Sequence, residues 1–328
     1  MKPRILVTRA NFPEVLEHLR ARFDVEDNQA DVPLAPAELR ARLADKHAAF
    51  VTGIDRVDAA LLDACPKLQA VCNLAVGYNN LDLAACTARG IIATNTPDVL
   101  NDTTADLAFA LLMAAARRVT ESERWLRAGH WRGWKNDQFL GQDVHHATLG
   151  IVGMGRIGQA LARRGHGFDM TVLYNNRNPV APEIEAALGA RRVDLHELLR
   201  EADFVCLALP YTRESHHLIG PRELALMKPT AILVNIARGG IVDDAALVAA
   251  LQAGRIAGAG LDVFEGEPAL HPGFLALDNV ALTPHIGSAS RATRLAMGMT
   301  VAANLIAALA GERPPNLLNP EVWARRRT

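Results

Sequence analysis

Three polar side chains, distant in sequence, carry the chemistry this chain could perform: Arg238, Glu267 and His285. Each follows a short apolar run of the kind that makes a buried strand. The segments are Asn235-Ile236-Ala237-Arg238-Gly239-Gly240, Asp262-Val263-Phe264-Glu265-Gly266-Glu267-Pro268 and Thr283-Pro284-His285-Ile286-Gly287-Ser288. Open α/β sheets bind ligands at the carboxyl ends of their strands, so one sheet edge should gather all three. A guanidinium there can grip a carboxylate and polarise an adjacent carbonyl through its planar fork of donors. An imidazole titrates near neutral pH and can pass a proton to an oxygen that gains charge. Glu267, if hydrogen-bonded to the other ring nitrogen, would favour the protonated ring and fix its orientation. The set suits delivery of a hydride and a proton to a 2-keto acid, with His285 as base in the reverse direction.

A hydride needs a carrier, and the sequence offers a place for one. Gly153-Met154-Gly155-Arg156-Ile157-Gly158 follows a strand-like run at 149–152 and opens a helix near Arg156. In that context Gly153 permits a tight turn, Gly155 lets backbone approach a pyrophosphate, and Gly158 lets helix and strand pack closely. The helix N-terminus supplies N–H groups and partial positive charge to the phosphates. A carboxylate about 20 residues further on would hold the ribose 2′-hydroxyl of NAD. This chain reads Tyr174-Asn175-Asn176-Arg177 there. Asn176 tolerates a 2′-phosphate and Arg177 can pair with it. NADPH is therefore expected to be preferred, with NADH possible.

The elements that must position these groups read as two α/β series. In the first, strands are expected at 5–7, 49–51 and 68–72, with helices near 13–22, 37–44 and 59–64. In the second, six strands are expected at 149–152, 171–174, 204–209, 231–236, 259–263 and 280–283. Strands alternating with helices at this spacing imply parallel sheets covered on both faces. Between the two series, residues 103–117 form a helix apolar on more than one face, which calls for burial in a domain junction or a subunit interface. Trp125, Trp131, Trp134 and Phe139 follow in an irregular stretch that reads equally as an arm to a neighbour or as a loop folded back. A last helix at 291–310 has no strand of its own and should return to the first series. The fold class is α/β with two doubly wound parallel-sheet domains. Residues 1–100 with 290–328 make a discontinuous substrate domain. Residues 101–289 make a nucleotide-binding domain that includes the helix and arm at 103–145.

Bulk properties narrow the partners. The chain has 328 residues, 50% of them apolar, and a formal net charge of −1, which gives no field to steer it to nucleic acid or an anionic membrane. Four cysteines without a CxxC pair, two of them in strand-like runs, fit a reducing compartment. The N-terminus leads into a strand rather than a signal segment, and no apolar run is read as long enough to span a bilayer. A cytoplasmic protein is expected. The adjacent pairs His145-His146 and His216-His217 are read as pointing apart, as neighbours on a strand do. With no HxxxH or HExxH, no metal site is expected.

Taken together, the glycine loop with its preceding strand, the 235–239 segment, Gly260-Leu261-Asp262-Val263-Phe264-Glu265 and Pro284-His285-Ile286-Gly287-Ser288 resemble the D-isomer-specific 2-hydroxyacid dehydrogenase family over nearly the whole chain. Thr96-Pro97-Asp98-Val99-Leu100 and Asp143-Val144-His145-His146 look like the glyoxylate/hydroxypyruvate reductase and 2-ketogluconate reductase branch. The resemblance implies a flavodoxin-like substrate domain and a Rossmann nucleotide domain. It implies a catalytic set on Arg238, Glu267 and His285, with Asp262 toward the nicotinamide carboxamide. It implies cofactor contacts from Thr104, Gly153, Gly155, Arg156, Ile157, Gly158, Asn176, Arg177, Leu209, Pro210, Ile236, Ala237 and Gly287. Leu74, Val76 and Gly77 match the substrate loop, where backbone N–H groups would bind the substrate carboxylate. A homodimer through the nucleotide domain is implied as well. Asn79 departs from the Asp that many relatives carry there, which weakens any fine substrate assignment.

The expected function is thus NADPH-dependent reduction of small 2-keto acids, glyoxylate, hydroxypyruvate or 2-ketogluconate, to D-2-hydroxy acids. One rival is an NAD-linked dehydrogenase of lactate, phosphoglycerate or formate. Another is a nucleotide-sensing interaction protein of the corepressor kind, which would tolerate loss of the catalytic set. The absence of a Gly-x-Ser-x-Gly elbow leaves serine hydrolysis without support.

Overall fold

The computed structural model describes residues 2–328. It divides the chain into two compact units, the residues through Leu100 with Ser290–Thr328, and Asn101–Ala289. Each is an α/β unit built on one all-parallel sheet.

The first unit holds β1 (Arg4–Val7), β2 (Asp24–Asp27), β3 (Ala48–Val51), β4 (Ala70–Asn73) and β5 (Ile92–Thr94) in the order β2-β1-β3-β4-β5. That is the flavodoxin-like order. β3 and β4 are buried along their whole length, as strands covered on both faces must be. β2 and β5 were not expected, and both are edge strands. β2 reads Asp-Val-Glu-Asp, because an edge strand with a solvated side can carry charge and is protected from pairing by it. β5 has only three residues, and its free edge is closed by a bridge from Thr94 to Leu317.

The helix Arg291–Leu309 belongs to this unit. Val301, Ala302, Leu305 and Ala308 on it join Ile5, Phe50, Cys72 and Ile92 in one core. Among the described residues it is the one helix long and apolar enough to cross a membrane, against the expectation that no run reaches that length. Packing on β3, β4 and β5 accounts for the composition.

The second unit holds β6 (Thr148–Val152), β7 (Thr171–Asn175), β8 (Ala190–Arg192), β9 (Phe204–Leu207), β10 (Ile232–Asn235), β11 (Gly258–Leu261) and β12 (Val280–Leu282). Their order is β12-β11-β10-β9-β6-β7-β8, so the winding reverses between β6 and β9. Such a reversal opens a crevice at the carboxyl ends of the strands. β8 is the seventh strand, where six were expected. It is again a short edge strand and carries Arg191 and Arg192 instead of an apolar run.

The apolar helix Asn101–Ala116 lies on β10 and β11 and against the helix Arg156–His166. A Cβ added at Gly260 would come within 2.9 Å of Leu111 Cβ. Packing inside its own unit therefore uses much of the surface that suggested a junction or an interface. The aromatic stretch after it does two things. Trp125 packs edge-on against Phe139 at 5.3 Å between ring centroids, and Arg118 lies over Phe139, so that part folds back. Trp134 stays 80% exposed and Leu140 67%.

Candidate active site

The glycine loop begins where β6 ends. Gly153 has φ +104°, and a Cβ on it would sit 2.5 Å from the Ala208 carbonyl oxygen and 2.8 Å from Leu209 N. A Cβ on Gly158 would sit 2.2 Å from the Gly153 carbonyl oxygen, which is the close helix–strand approach expected of that glycine. Gly155 is the contrast. A Cβ there meets nothing within 4 Å, so backbone is not what excludes it. Open space beside a helix N-terminus suits a pyrophosphate. A dinucleotide fits this cradle. Arg156 and Ile157 open the helix behind it.

At the end of β7, the Asn176 Oδ1 accepts the Met154 N–H at 2.7 Å. Asn176 thus braces the loop and has its N–H₂ left to donate to a ligand. Arg192, not anticipated as part of this region, reaches from β8 and donates from Nη2 to the carbonyls of Asn176 (3.0 Å) and Arg177 (2.9 Å). It places a guanidinium against the backbone at Arg177. Nothing in the short polar run Ala190–Arg192 marks it in the sequence as such.

The turn after β10 carries Ile236, Ala237 and Arg238. Asn235, 2% exposed, holds it by accepting the Ala237 N–H at 3.0 Å and donating to the Arg238 carbonyl at 3.1 Å. The Arg238 Nη1 donates to the Ala237 carbonyl at 2.7 Å. Burial lowers the Arg238 pKa, and the charge of Glu267 works against that. Gly239 is sterically compelled, because a Cβ on it would fall 1.8 Å from the Phe264 carbonyl oxygen. The two turns that bear Arg238 and Glu267 therefore touch backbone to backbone.

Glu267 uses both oxygens. Oε1 accepts the Phe264 N–H at 2.8 Å and Oε2 lies 2.7 Å from His285 Nδ1. Burial acts to raise its pKa, but the hydrogen bonds from His285 and Phe264 and the charges of His285 and Arg238 outweigh it, and the net shift is downward. His285 has φ +53°, a left-handed conformation that costs a non-glycine residue on the order of 1 kcal/mol and clusters at functional sites. Its N–H donates to the Asp262 carbonyl at 2.9 Å.

Asp262, 1% exposed, hangs the whole 283–287 turn from one carboxylate. Oδ1 accepts the Thr283 hydroxyl (2.6 Å) and the Ile286 N–H (2.7 Å), and Oδ2 accepts the Gly287 N–H (2.8 Å). Burial raises its pKa against those bonds. Thr104 meets Gly287, with its Cγ2 3.4 Å from where a Cβ on that glycine would stand. Leu209 and Pro210 follow β9, with Leu209 N against Gly153 and the Pro210 carbonyl accepting from Ser215 Oγ at 3.1 Å.

In the first unit, Leu74, Val76 and Gly77 follow β4. The Leu74 N–H donates to Val51. Asn95 Nδ2 donates to the Val76 carbonyl at 2.8 Å, and Asn73 Nδ2 to the Gly77 carbonyl at 3.0 Å. Both carbonyls are thereby turned to protein. Among the described residues no hydrogen bond uses the Val76 or Gly77 N–H. Asn73 and Asn95 escaped the sequence reading, since an Asn ending a strand looks like ordinary turn chemistry. The reading that adjacent histidines point apart also fails. Neither pair lies in a strand, and the His216 and His217 rings stack at 3.9 Å.

A parallel sheet that reverses its winding beside a glycine loop, with arginine, glutamate and histidine gathered on neighbouring strand ends, defines an NAD(P)-dependent oxidoreductase. Comparison with known proteins gives the family. The model for the D-isomer specific 2-hydroxyacid dehydrogenase NAD binding domain matches residues 109–287. The chain is 50% identical over 326 residues to a glyoxylate reductase of Thermococcus onnurineus, spanning 98% of this chain and 97% of that one. It is 51% identical over 328 residues to a glyoxylate reductase of Pyrococcus horikoshii, spanning 98% and 97%. Among solved structures, the NADPH-dependent glyoxylate/hydroxypyruvate reductase of Sinorhizobium meliloti, in complex with NADP and malonate, is 36% identical with a TM-score of 0.88, covering both chains in full (100% each). The chain belongs to the D-isomer specific 2-hydroxyacid dehydrogenase family. It is an NAD(P)-dependent enzyme that interconverts small 2-keto acids and D-2-hydroxy acids.

Proposed function

We propose that this chain is an NADPH-dependent reductase of glyoxylate and hydroxypyruvate, with 2-ketogluconate as a further substrate. The observation that carries the cofactor choice is the end of β7. No carboxylate stands there to repel a 2′-phosphate. Asn176 has its N–H₂ left to donate while its oxygen holds Met154, and the Arg192 guanidinium sits on the backbone carbonyls of Asn176 and Arg177, next to the residue whose own guanidinium can pair with the phosphate. The similar proteins named glyoxylate reductase support the substrate class.

When bound, NADPH supplies the hydride. Arg238 polarises the keto oxygen and holds the substrate carboxylate. The Glu267 charge offsets part of the cost of burying its guanidinium. His285, tied at Nδ1 by Glu267, keeps Nε2 for the proton that the nascent alkoxide needs. Glu267, kept ionised by the bonds it accepts, positions the ring. Asp262 holds the 283–287 turn, and its remaining acceptor capacity suits a carboxamide. Gly153, Gly155, Arg156, Ile157 and Gly158 cradle the phosphates, while Thr104, Leu209, Pro210, Ile236, Ala237 and Gly287 line the remaining cofactor surface. The uncommitted N–H groups of Val76 and Gly77, with Leu74 beside them, suit a carboxylate. The exposed Trp131, Trp134 and Leu140 support a homodimer formed through the nucleotide-binding unit, which light scattering after size exclusion would detect. The deciding experiment is kcat/KM with NADPH and with NADH for glyoxylate, hydroxypyruvate and 2-ketogluconate. A higher value with NADH would overturn the cofactor assignment.

A further inference from the structure

Outside the catalytic set, one cluster of ligand-type side chains has a geometry the reductase reading does not use. It joins the loop after β9 to the turn after β11. We propose that His216, His217 and Glu265 bind a divalent transition-metal ion of the zinc type. Each residue can offer one ligand atom, and these atoms lie within 4.8 Å of one another. The Nε2 of His217 stands 3.1 and 3.2 Å from the two Glu265 oxygens. Ligand atoms on a tetrahedral zinc, with bonds of about 2.0–2.1 Å, are separated by about 3.3 Å. The pair is already spaced as one edge of such a shell.

His216 supplies the third donor. Its ring stacks on that of His217 with centroids 3.9 Å apart and planes 24° from parallel. Parallel rings send their lone pairs alongside each other, so His216, which is exposed, must rotate about its own side-chain bonds to converge on the ion. The backbone at His217 is left-handed, φ +50°, which breaks the alternation that would send adjacent side chains apart.

The His216 imidazole has a hydrogen-bonding group at its far nitrogen, as metal-bound histidines do, and His217 has a carboxylate near its own, beyond hydrogen-bond distance. The Tyr211 hydroxyl lies 3.2 Å from His216 Nδ1, and Asp243 Oδ2 lies 3.9 Å from His217 Nδ1. Two imidazoles and one carboxylate select zinc and its neighbours over magnesium or calcium, which want oxygen alone. Water completes the shell. Glu265 is two residues before Glu267, and its N–H is held by Asp244 Oδ2 at 3.0 Å. An ion here clasps the 210–217 loop to the turn that bears Glu267 and acts as a structural tie.

The test is equilibrium dialysis of chelator-stripped protein against zinc alone, with cobalt absorption as a second readout of the ligand set. Wild type is expected to bind one tight equivalent per chain. His216→Ala and Glu265→Gln should each weaken it at least about tenfold, and Tyr211→Phe by roughly tenfold. The double variant His145→Ala, His146→Ala should leave it unchanged, as should His285→Ala, which removes the catalytic imidazole as a competing ligand. A thermal shift with zinc should appear in wild type and vanish in His216→Ala. A tight equivalent that survives in both His216→Ala and Glu265→Gln overturns the assignment, and so does wild-type binding no tighter than theirs, which would leave the cluster an ordinary ion pair. Neither result bears on the reductase reading, which no part of this cluster enters.

Discussion

Replacing Glu267 by glutamine removes a charge at nearly constant volume and tests the catalytic set at its hinge. In the native site one carboxylate oxygen lies 2.7 Å from His285 Nδ1 and the other takes the Phe264 N–H at 2.8 Å. A glutamine can keep the bond from Phe264 only by aiming its N–H₂ at Nδ1, which must then accept. The ring is left neutral with its proton on Nε2, and giving up that proton would leave an imidazolate. A hydrogen bond to a charged group is worth about 1.5–3 kcal/mol, and each 1.36 kcal/mol is about tenfold in rate. That sets a loss of roughly 10- to 150-fold in kcat. The His285 side chain is 48% exposed and Glu267 32%, so solvent screening favours the lower part of the range.

The assay is steady-state NADPH oxidation with saturating glyoxylate, beside NADPH affinity measured by fluorescence. The affinity should hold within about twofold, since Glu267 is placed on the proton donor and not on the nucleotide loop. An unchanged kcat, or a loss confined to KM, would refute the assigned role. Stability gives a second reading. Because the folded-state pKa of Glu267 is lowered, its ionised form stabilises the fold above the ordinary carboxylate pKa, and that contribution is lost as pH falls through the lowered value. Thermal melts should show wild type losing more stability than Glu267→Gln on acidification through and below the carboxylate range.

Three further outcomes follow from the geometry. Arg177→Gln should raise KM for NADPH roughly tenfold or more and leave KM for NADH within about twofold, measured with one keto acid held saturating. Arg192→Ala should move the NADPH value in the same direction while also loosening the backbone it holds, so Arg192→Lys should restore only part of it. Gly155→Ala should keep a wild-type melting temperature and lose NADPH affinity, because its Cβ enters space free of protein, whereas Gly239→Ala should fail in both, its Cβ meeting the Phe264 carbonyl oxygen at 1.8 Å. Calorimetry and a cofactor titration on the two variants decide the pair, and equal melting temperatures would contradict the packing described.

What could be read from residue types was what chemistry and burial write strongly. Central strands such as 149–152 and 204–207 are continuous apolar runs, and the glycine loop and the three polar strand ends stand out against them. The missed strands β2, β5 and β8 are all edges. Being short or charged is how an edge avoids unwanted pairing, and the same property erases the signal. Within the site, Arg238, Glu267 and His285 announce themselves by type. Asn73, Asn95 and Asn235 do not, because their work is to hold backbone carbonyls and N–H groups whose positions exist only after folding. Arg192 was invisible for the same reason, and the His216-His217 pair, plain in the sequence, was read as pointing apart because only the folded turn shows its rings stacked.

The contact of Gly239 with the Phe264 carbonyl separates two kinds of inheritance. The spacing of the guanidinium-bearing and carboxylate-bearing turns is written in main chain, so it survives any exchange of the residues that shape the keto acid's tail. A descendant can therefore change its diet without redesigning its proton relay, provided that one position never acquires a methyl group.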